Sequence, residues 1–254
     1  MSCAVPPPGD LSPSRAAADR VGLDVERSYL DRTSPMGDLA ERYMAALLRR
    51  DRNEASRLVL EAETALAVLY TQVFRPVQRE LGRLWQLNRV TVAEEHYCTA
   101  ATQMIISRLY LEAFAAPRRG TGIVVATVPG NMHELGSRMV ADLFELAGWD
   151  TVYLGPQTPE AVREAVASRG PALVALSASM PHHLPALRAT IAALRHEPAS
   201  AGVPVLVGGL AFSASAELWR AMGADGFAAE AEDAIAWANE RVMARPGLGG
   251  WHGR

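Results

Sequence analysis

The sequence lacks the residues for a disulfide framework, a zinc cluster or a membrane anchor. Its 254 residues include only two cysteines, Cys3 and Cys98, which are too few for a disulfide scaffold or a structural zinc site. No apolar run reaches the roughly 18 residues that a membrane-spanning helix needs, and no cationic segment followed by an apolar one opens the chain. We therefore expect a cytoplasmic protein with no membrane contact.

Basic charge and the common motifs of nucleotide-binding enzymes are scarce as well. The formal net charge is -3 and lysines and arginines form no dense cluster, so the composition disfavours direct contact with nucleic acid. The sequence has no Gly-x-Gly-x-x-Gly turn, Walker loop or nucleophile elbow. We expect that the protein is not an enzyme by itself.

A helical region is the first feature that is present. Hydrophobic residues make up 49% of the chain, enough for a sizeable core, and from 36 to 116 they recur at helical spacing. Four helices are expected there, packed as a bundle. Asp51 is a candidate helix cap, and Pro76 should kink the third helix. Residues 1–35, rich in proline, serine and charge, are predicted to be a flexible leader.

From 120 to 244 short β-branched segments alternate with amphipathic ones. Strands are predicted at GIVVATV, DTVYLG, ALVALSA, PVLVGG and DGFAA, and helices are predicted to begin near Glu134, Thr158, Leu184, Ser213 and Glu230. Strict alternation predicts a parallel sheet with helices on both faces. The fold class is therefore α + α/β: an N-terminal four-helix bundle followed by a flavodoxin-like (Rossmann-like) five-stranded sheet, with a flexible tail at 245–254.

The loops that follow the first four strands should form a ligand-binding edge, because parallel sheets bind ligands outside the carboxyl ends of their strands. His133 lies in the first of these loops, PGNMHELG. Asn131 can offer its amide oxygen to one ring nitrogen of this histidine, and Gly136 is expected to let the following helix approach closely. On residue chemistry alone, His133 could equally cap a helix or bond to backbone.

The pattern Asn131-x-His133-x-x-Gly136 resembles the Asp-x-His-x-x-Gly signature of cobalamin-binding domains. In that family the histidine replaces the dimethylbenzimidazole of the cofactor as the lower axial ligand of cobalt, so the resemblance implies His133 as the metal ligand. Asn131 stands where the family usually has aspartate. Its neutral amide should leave the imidazole less electron-rich.

Two further elements fall where cobalamin-binding domains have them. Ser177 and Ser179 follow the third predicted strand, and Gly208 and Gly209 end the fourth. In the family, the glycine pair gives the displaced nucleotide tail of the cofactor room to lie against the sheet. The resemblance therefore implies that all four residues bind the cofactor.

The helical region carries a separate match. Trp85, nine further residues and then Glu95-His96 resemble the Trp-x(9)-Glu-His arrangement of the light-sensing CarH-type, or LitR-type, transcription factors. There the three side chains enclose the adenosyl group of adenosylcobalamin. Gln86 departs from this family, whose members can carry a second histidine at that position. The alternatives are core packing for Trp85 and a solvated pair for Glu95 and His96.

His182 and His183, in the Pro-flanked loop MPHHLP after the third strand, are the remaining candidates. They could contact the corrin, a partner subunit or a second chromophore such as biliverdin or another linear tetrapyrrole. They could also be polar loop residues that bond to backbone.

Three functions therefore compete. The first is an adenosylcobalamin photoreceptor that forms a homodimer or higher homo-oligomer and signals to a downstream protein partner, either a regulator or an enzyme. The second is a corrinoid carrier of a methyltransferase system. The third is a sensor that binds cobalamin together with a linear tetrapyrrole.

Overall fold

The computed structural model describes residues 27–110, 117–131, 133–213, 217–243 and 251. Its first part is a helical cap whose elements are α1 (Gly37–Leu48), α2 (Arg52–Leu60), α3 (Leu66–Leu69), a π-helical turn (Tyr70–Phe74), α4 (Arg75–Gln86) and α5 (Val92–Leu109). α3, the π turn and α4 follow one another without a break. The predicted four-helix bundle is confirmed, with the third helix interrupted by one π turn.

Local signals explain where the helices of the cap begin. The Asp51 side chain accepts a hydrogen bond of 2.9 Å from the Glu54 backbone N–H, which confirms the predicted cap. Thr91 and Glu94 form a reciprocal capping box at the start of α5. Pro76 is the second residue of α4 and follows the π turn directly, so its missing N–H falls where the helical hydrogen-bond pattern changes. The irregularity expected at this proline takes the form of the π turn that precedes it.

The core of the cap continues into the second part of the molecule. Leu135, Met139 and Leu143, which belong to the first helix after the sheet begins, lie in the same buried cluster as the apolar side chains of the cap. On the other side of the cap, the Tyr29 N–H donates to Glu80 at 2.9 Å. Residues 1–26 of the predicted leader lie outside the described residues.

The second part is an α/β domain. Its elements are β1 (Gly122–Thr127), α6 (Leu135–Leu146), β2 (Asp150–Pro156), α7 (Pro159–Arg169), β3 (Leu173–Ser177), a 3₁₀ turn (Pro181–His183), α8 (Leu184–His196), β4 (Val205–Gly208), a 3₁₀ turn (Leu210–Phe212), α9 (Leu218–Ala221), β5 (Gly226–Phe227) and α10 (Ala231–Met243). The five strands pair in parallel in the order β2-β1-β3-β4-β5. This is the flavodoxin-like order, so the predicted fold class is confirmed.

Helices cover both faces of the sheet. One face packs under α7 and α8 through residues such as Val162 and Ile191, and the other packs under α6 and α10 through Phe144 and Ala238. Burial on both faces is why the strands are almost continuously apolar. Within the described residues, none of the helices combines the length and apolar composition needed to cross a bilayer.

The crossover between β4 and β5 differs from the prediction. A helix was expected from Ser213, but the described residues form only the four-residue α9, and 214–216 are outside them. A 3₁₀ turn takes up the start of the crossover, and Gly223, with φ +82°, ends α9. Of the predicted tail, only Trp251 is described, and its ring occupies the position where a Cβ on Gly122 would lie.

Candidate functional site

A cavity of about 960 Å³ lies between the helical cap and the carboxyl ends of the strands. The predicted site residues that line it are Trp85, Glu95 and His96 from the cap, and His133, Gly136, Ser177, Ser179, His182, Gly208 and Gly209 from the sheet loops. The chain leaves β1 toward β2 on one side and β3 lies on the other, so the loops meet at a topological switch point. The structure thus brings together every predicted site residue except Asn131 and His183.

His133 is presented to this cavity as an exposed side chain. Its backbone carbonyl accepts a hydrogen bond of 3.3 Å from the Ser179 hydroxyl, which ties the loop after β1 to the loop after β3. Among the described residues, the ring itself makes no hydrogen bond. The histidine is therefore not a helix cap, and both nitrogens are free to bind a ligand or a partner side chain.

Asn131 lies beneath the same loop and is 0% exposed. Neither its Oδ1 nor its Nδ2 atom has a hydrogen-bond partner in the part of the chain that the structure describes. The expected contact with the His133 ring is therefore not formed here. A fully buried amide without hydrogen-bond partners costs free energy. The unpartnered Asn131 amide fits a site in which a bound ligand fixes the position of the His133 ring.

His183 does not line the cavity: it ends the 3₁₀ turn directly before α8 and is only 5% exposed. Its ring packs 4.2 Å from the ring of His182. Burial is the main cause that lowers the pKa of His183, the nearby His182 and His133 lower it further, and a hydrogen bond to the Gly130 backbone opposes them. His183 is therefore a buried neighbour of the loop that carries His133, whereas His182 lines the cavity.

The glycines differ in what their missing side chains make possible. Gly209 has φ +102°, and a Cβ there would lie 2.3 Å from the Ala178 carbonyl oxygen. A Cβ on Gly208 would lie 3.0 Å from the Ala228 carbonyl oxygen. The pair therefore forms a backbone cradle at the end of β4. At Gly136 a Cβ would meet nothing within 4 Å, so the predicted close helix approach is wrong: this glycine faces the open cavity.

On the cap side, Glu95 is held in place whereas His96 is not. The Glu95 carboxylate lies 2.6 Å from His96 Nδ1 and accepts a hydrogen bond of 3.0 Å from the Thr99 hydroxyl. Its side chain is 17% exposed, against 73% for His96. The half-buried Trp85 shares the cavity wall with them. Glu95 and His96 are therefore not simply a solvated pair, because the carboxylate is fixed toward the cavity.

Sequence reasoning missed several cavity residues. Arg75, Gln78, Arg79 and Gly82 lie on the same face of α4 as Trp85 and line the cavity with it. Their spacing of three or four residues from one another was the available signal. Gln86, which replaces the second histidine of the light-sensing family, also lines the cavity, and its buried Oε1 has no partner among the described residues.

Comparison with known proteins decides the family. Residues 121–237 match the family model of the B12 binding domain, and residues 39–110 match a second model of the same description. The chain is 30% identical over 170 residues to dimethylamine corrinoid protein 3 of Methanosarcina mazei, and the match covers 95% of that protein and 65% of this chain. The chain belongs to the B12-binding family.

This B12-binding protein has relatives of two kinds. It is 31% identical over 176 residues to the HTH-type transcriptional repressor CarH of Myxococcus xanthus, a match that covers 67% of the chain but only 57% of the repressor. Its fold is similar to that of the monomethylamine corrinoid protein of Methanosarcina barkeri, with a TM-score of 0.70, 20% identity, and coverage of 81% of this chain and 99% of that one.

The donor set fits cobalamin. Cobalt in this cofactor accepts an imidazole nitrogen, which His133 presents; the Asn131 amide in the same loop has no hydrogen-bond partner among the described residues; and the Gly208-Gly209 backbone lines the cavity at the end of β4. Metal binding does not require a larger ligand cluster, because the corrin ring supplies the other nitrogens. Accordingly, no group of three or more His, Cys, Asp or Glu residues suited to a free metal ion occurs in the described ranges.

Proposed function

We propose that this protein is a light-responsive sensor module that holds adenosylcobalamin between its helical cap and its α/β domain. One observation carries the proposal. Trp85 and Glu95 line the cap side of the cavity that His133 faces from the sheet, and they resemble the side chains that enclose the adenosyl group in light-sensing proteins. A carrier that must expose the upper face of its corrin to visiting enzymes has no need of side chains that enclose an adenosyl group.

Each residue has a distinct part in the proposed site. Adenosylcobalamin, when bound, supplies a cobalt–carbon bond that visible light breaks. His133 would hold the cobalt through a ring nitrogen, and Asn131 would be the partner that fixes the tautomer of its ring. Trp85 would cover the adenosyl group, and Glu95, already oriented by Thr99, would accept hydrogen bonds from ribose hydroxyls or the base.

The signal follows from the position of the cavity. Because the cap and the sheet contribute opposite walls, a ligand that touches both favours one packing of the two parts, and losing part of that ligand changes the balance. We expect the result to be a change in homodimer or higher-oligomer assembly, passed on to a protein partner. Direct DNA contact is not part of the proposal.

The test compares adenosylcobalamin with hydroxocobalamin, which has no adenosyl group. The protein is loaded in the dark, and its absorption spectrum and its mass in solution are recorded before and after green light. We expect both to change with adenosylcobalamin and neither with hydroxocobalamin. Trp85→Phe should weaken the preference for adenosylcobalamin over methylcobalamin, whereas Trp219→Phe, outside the cavity wall, should not. An unchanged spectrum and mass after illumination would rule the proposal out.

A corrinoid carrier for methyl transfer is the second candidate. It is supported by the match to dimethylamine corrinoid protein 3 of Methanosarcina mazei along 95% of that protein. A carrier should bind methylcobalamin at least as tightly as adenosylcobalamin, and should lose the methyl group to a partner protein in the dark. Equal affinity for the two forms, together with such dark turnover, would favour the carrier over the sensor.

A further inference from the structure

Two arginines on the cap wall are not explained by corrin binding. Arg75 and Arg79 lie one turn apart on α4 and both line the cavity. Their side chains are 33% and 29% exposed, and burial lowers the pKa of both guanidinium groups. Two like charges at this spacing repel each other. Such a pair on a half-buried wall needs negative charge opposite it.

The protein itself supplies only part of that charge. Glu230, directly before α10, pairs with Arg75, and its other carboxylate oxygen lies 3.7 Å from Arg79 Nη1, too far for a hydrogen bond. Glu232 also acts on Arg75, and the Tyr29 phenol acts on Arg79. Within the described ranges, the Arg79 guanidinium makes no hydrogen bond, although it carries five N–H donors. Arg79 is therefore a partly desolvated cation on the cavity wall whose N–H donors are not used in hydrogen bonds within the described ranges.

The corrin ring does not supply the missing charge. Its side chains are neutral amides, and the one anionic group of cobalamin is the phosphate of the nucleotide tail. Arg79 lies six residues before Trp85 on the same helix face, about 9 Å along the axis at 1.5 Å per residue. Opposite it, Ala228 and Ala229, which precede Glu230, line the cavity beside the Gly208 cradle. An anionic group between Arg79 and the Ala228-Ala229 segment would lie beside the cobalamin site, at the end of the fifth strand.

We propose that Arg79, with Arg75 beside it, binds an oxyanion group, either a carboxylate or a phosphate, of a molecule held in the cavity, and that Glu230 competes for the same two guanidinium groups. The planar guanidinium fork matches both groups in a bidentate manner. The phosphate of the cobalamin tail and a carboxylate or phosphate of a separate small molecule are the two sources. The inference does not depend on the light response.

Two arms of one experiment separate these sources, using the full-length cofactor-free protein in the dark. In the first, wild type, Arg79→Gln and Arg188→Gln are titrated with cobalamin and with cobinamide, which lacks the nucleotide tail. In the second, the rise in melting temperature caused by sodium phosphate or sodium succinate is measured against sodium chloride at equal ionic strength. Arg188 is the matched control because it is exposed on α8 and lies outside the cavity wall.

If the bound group is the phosphate of the cobalamin tail, we expect Arg79→Gln to weaken cobalamin binding roughly ten- to a hundredfold and to leave cobinamide binding unchanged. If the bound group belongs to a separate small molecule, we expect Arg79→Gln to leave corrinoid binding unchanged and to abolish the stabilisation by phosphate or succinate. In whichever of the two measurements Arg79→Gln weakens binding, Glu230→Gln should tighten it, because it removes the competing carboxylate. Circular dichroism and Arg79→Lys, which keeps the charge, control for misfolding.

Three results would overturn the proposal. The first is that Arg79→Gln matches Arg188→Gln in both arms. The second is an equal loss of cobalamin and cobinamide binding, which would assign Arg79 a role toward the corrin itself. The third is that Glu230→Gln weakens binding as Arg79→Gln does, since the ion pair would then be purely structural.

Discussion

The hydrogen bond donated by the Tyr70 hydroxyl should contribute strongly to the stability of the contact between the helical cap and the α/β domain. It donates to Asp142 Oδ2 at 2.8 Å, and both residues are 1% exposed. The other carboxylate oxygen accepts a hydrogen bond of 3.0 Å from Arg138 Nε. Tyr70→Phe removes only the hydroxyl and keeps the ring beside Phe74. Because hydrogen bonds to charged groups contribute about 1.5–3 kcal/mol, we expect the free energy of unfolding to fall by that amount.

The matched control is Tyr43→Phe. Tyr43 is also fully buried in the cap, but its hydroxyl shares a hydrogen bond of 2.9 Å with the neutral Thr102, so its loss should cost only about 1 kcal/mol. Urea unfolding of the cofactor-free protein measures both. For a chain of this size, the larger loss corresponds to a fall of roughly 3–12 °C in melting temperature. If Tyr70→Phe costs no more than Tyr43→Phe, the buried carboxylate does not join the two parts as argued.

Three further predictions concern single residues. Gly209→Ala should lower the free energy of unfolding by about 1–3 kcal/mol, because its φ and the nearby Ala178 carbonyl leave no place for a Cβ; wild-type stability in urea would refute the cradle. Gly136→Ala should leave stability unchanged or raise it by up to about 1 kcal/mol but lower cobalamin affinity, since its Cβ enters the cavity; an unchanged spectrophotometric titration would contradict this. Burial raises the pKa of Asp142, so the folded state holds this proton to higher pH than the unfolded chain. The resulting stabilisation is fully present below the unfolded pKa and is lost as pH rises through the folded pKa. Asp142→Asn should remove the part of the pH dependence that sets in above the unfolded pKa of about 4; if the free energies of unfolding of variant and wild type changed with pH in parallel, Asp142 would not be its source.

Local sequence signals were enough to predict the order of the elements. The alternation of β-branched and amphipathic segments is read directly from side-chain periodicity, and the parallel order then follows from the few connections that such units allow. The π turn at Tyr70–Phe74 could not be predicted in this way, since Pro76 signals an irregularity but not its form. The short α9 was also missed, because the apolar spacing after Ser213 resembles that of a longer helix.

The candidate site was predictable where it depends on strand ends and on a spaced motif. His133 lies in the loop after β1 and Gly208 ends β4, so the fold alone brings them to one edge of the sheet. The separation of His182 from His183 was not predictable, because it depends on which of two adjacent side chains the start of α8 buries. The position of Arg79 on the cavity wall was likewise not predictable, because it depends on how α4 packs over the sheet, and no local sequence pattern encodes that packing.

The most direct test of the account is the magnetic coupling between cobalt and a histidine nitrogen. The protein is prepared with ¹⁵N-labelled histidine, loaded with unlabelled cobalamin, reduced to the Co(II) form, and examined by electron paramagnetic resonance. Ligation by His133 predicts that each cobalt line is split into a doublet by ¹⁵N, and that His133→Ala loses this splitting while His196→Ala, on the outer side of α8, keeps it. A triplet from the cofactor's own ¹⁴N base in the labelled wild-type protein would contradict the account.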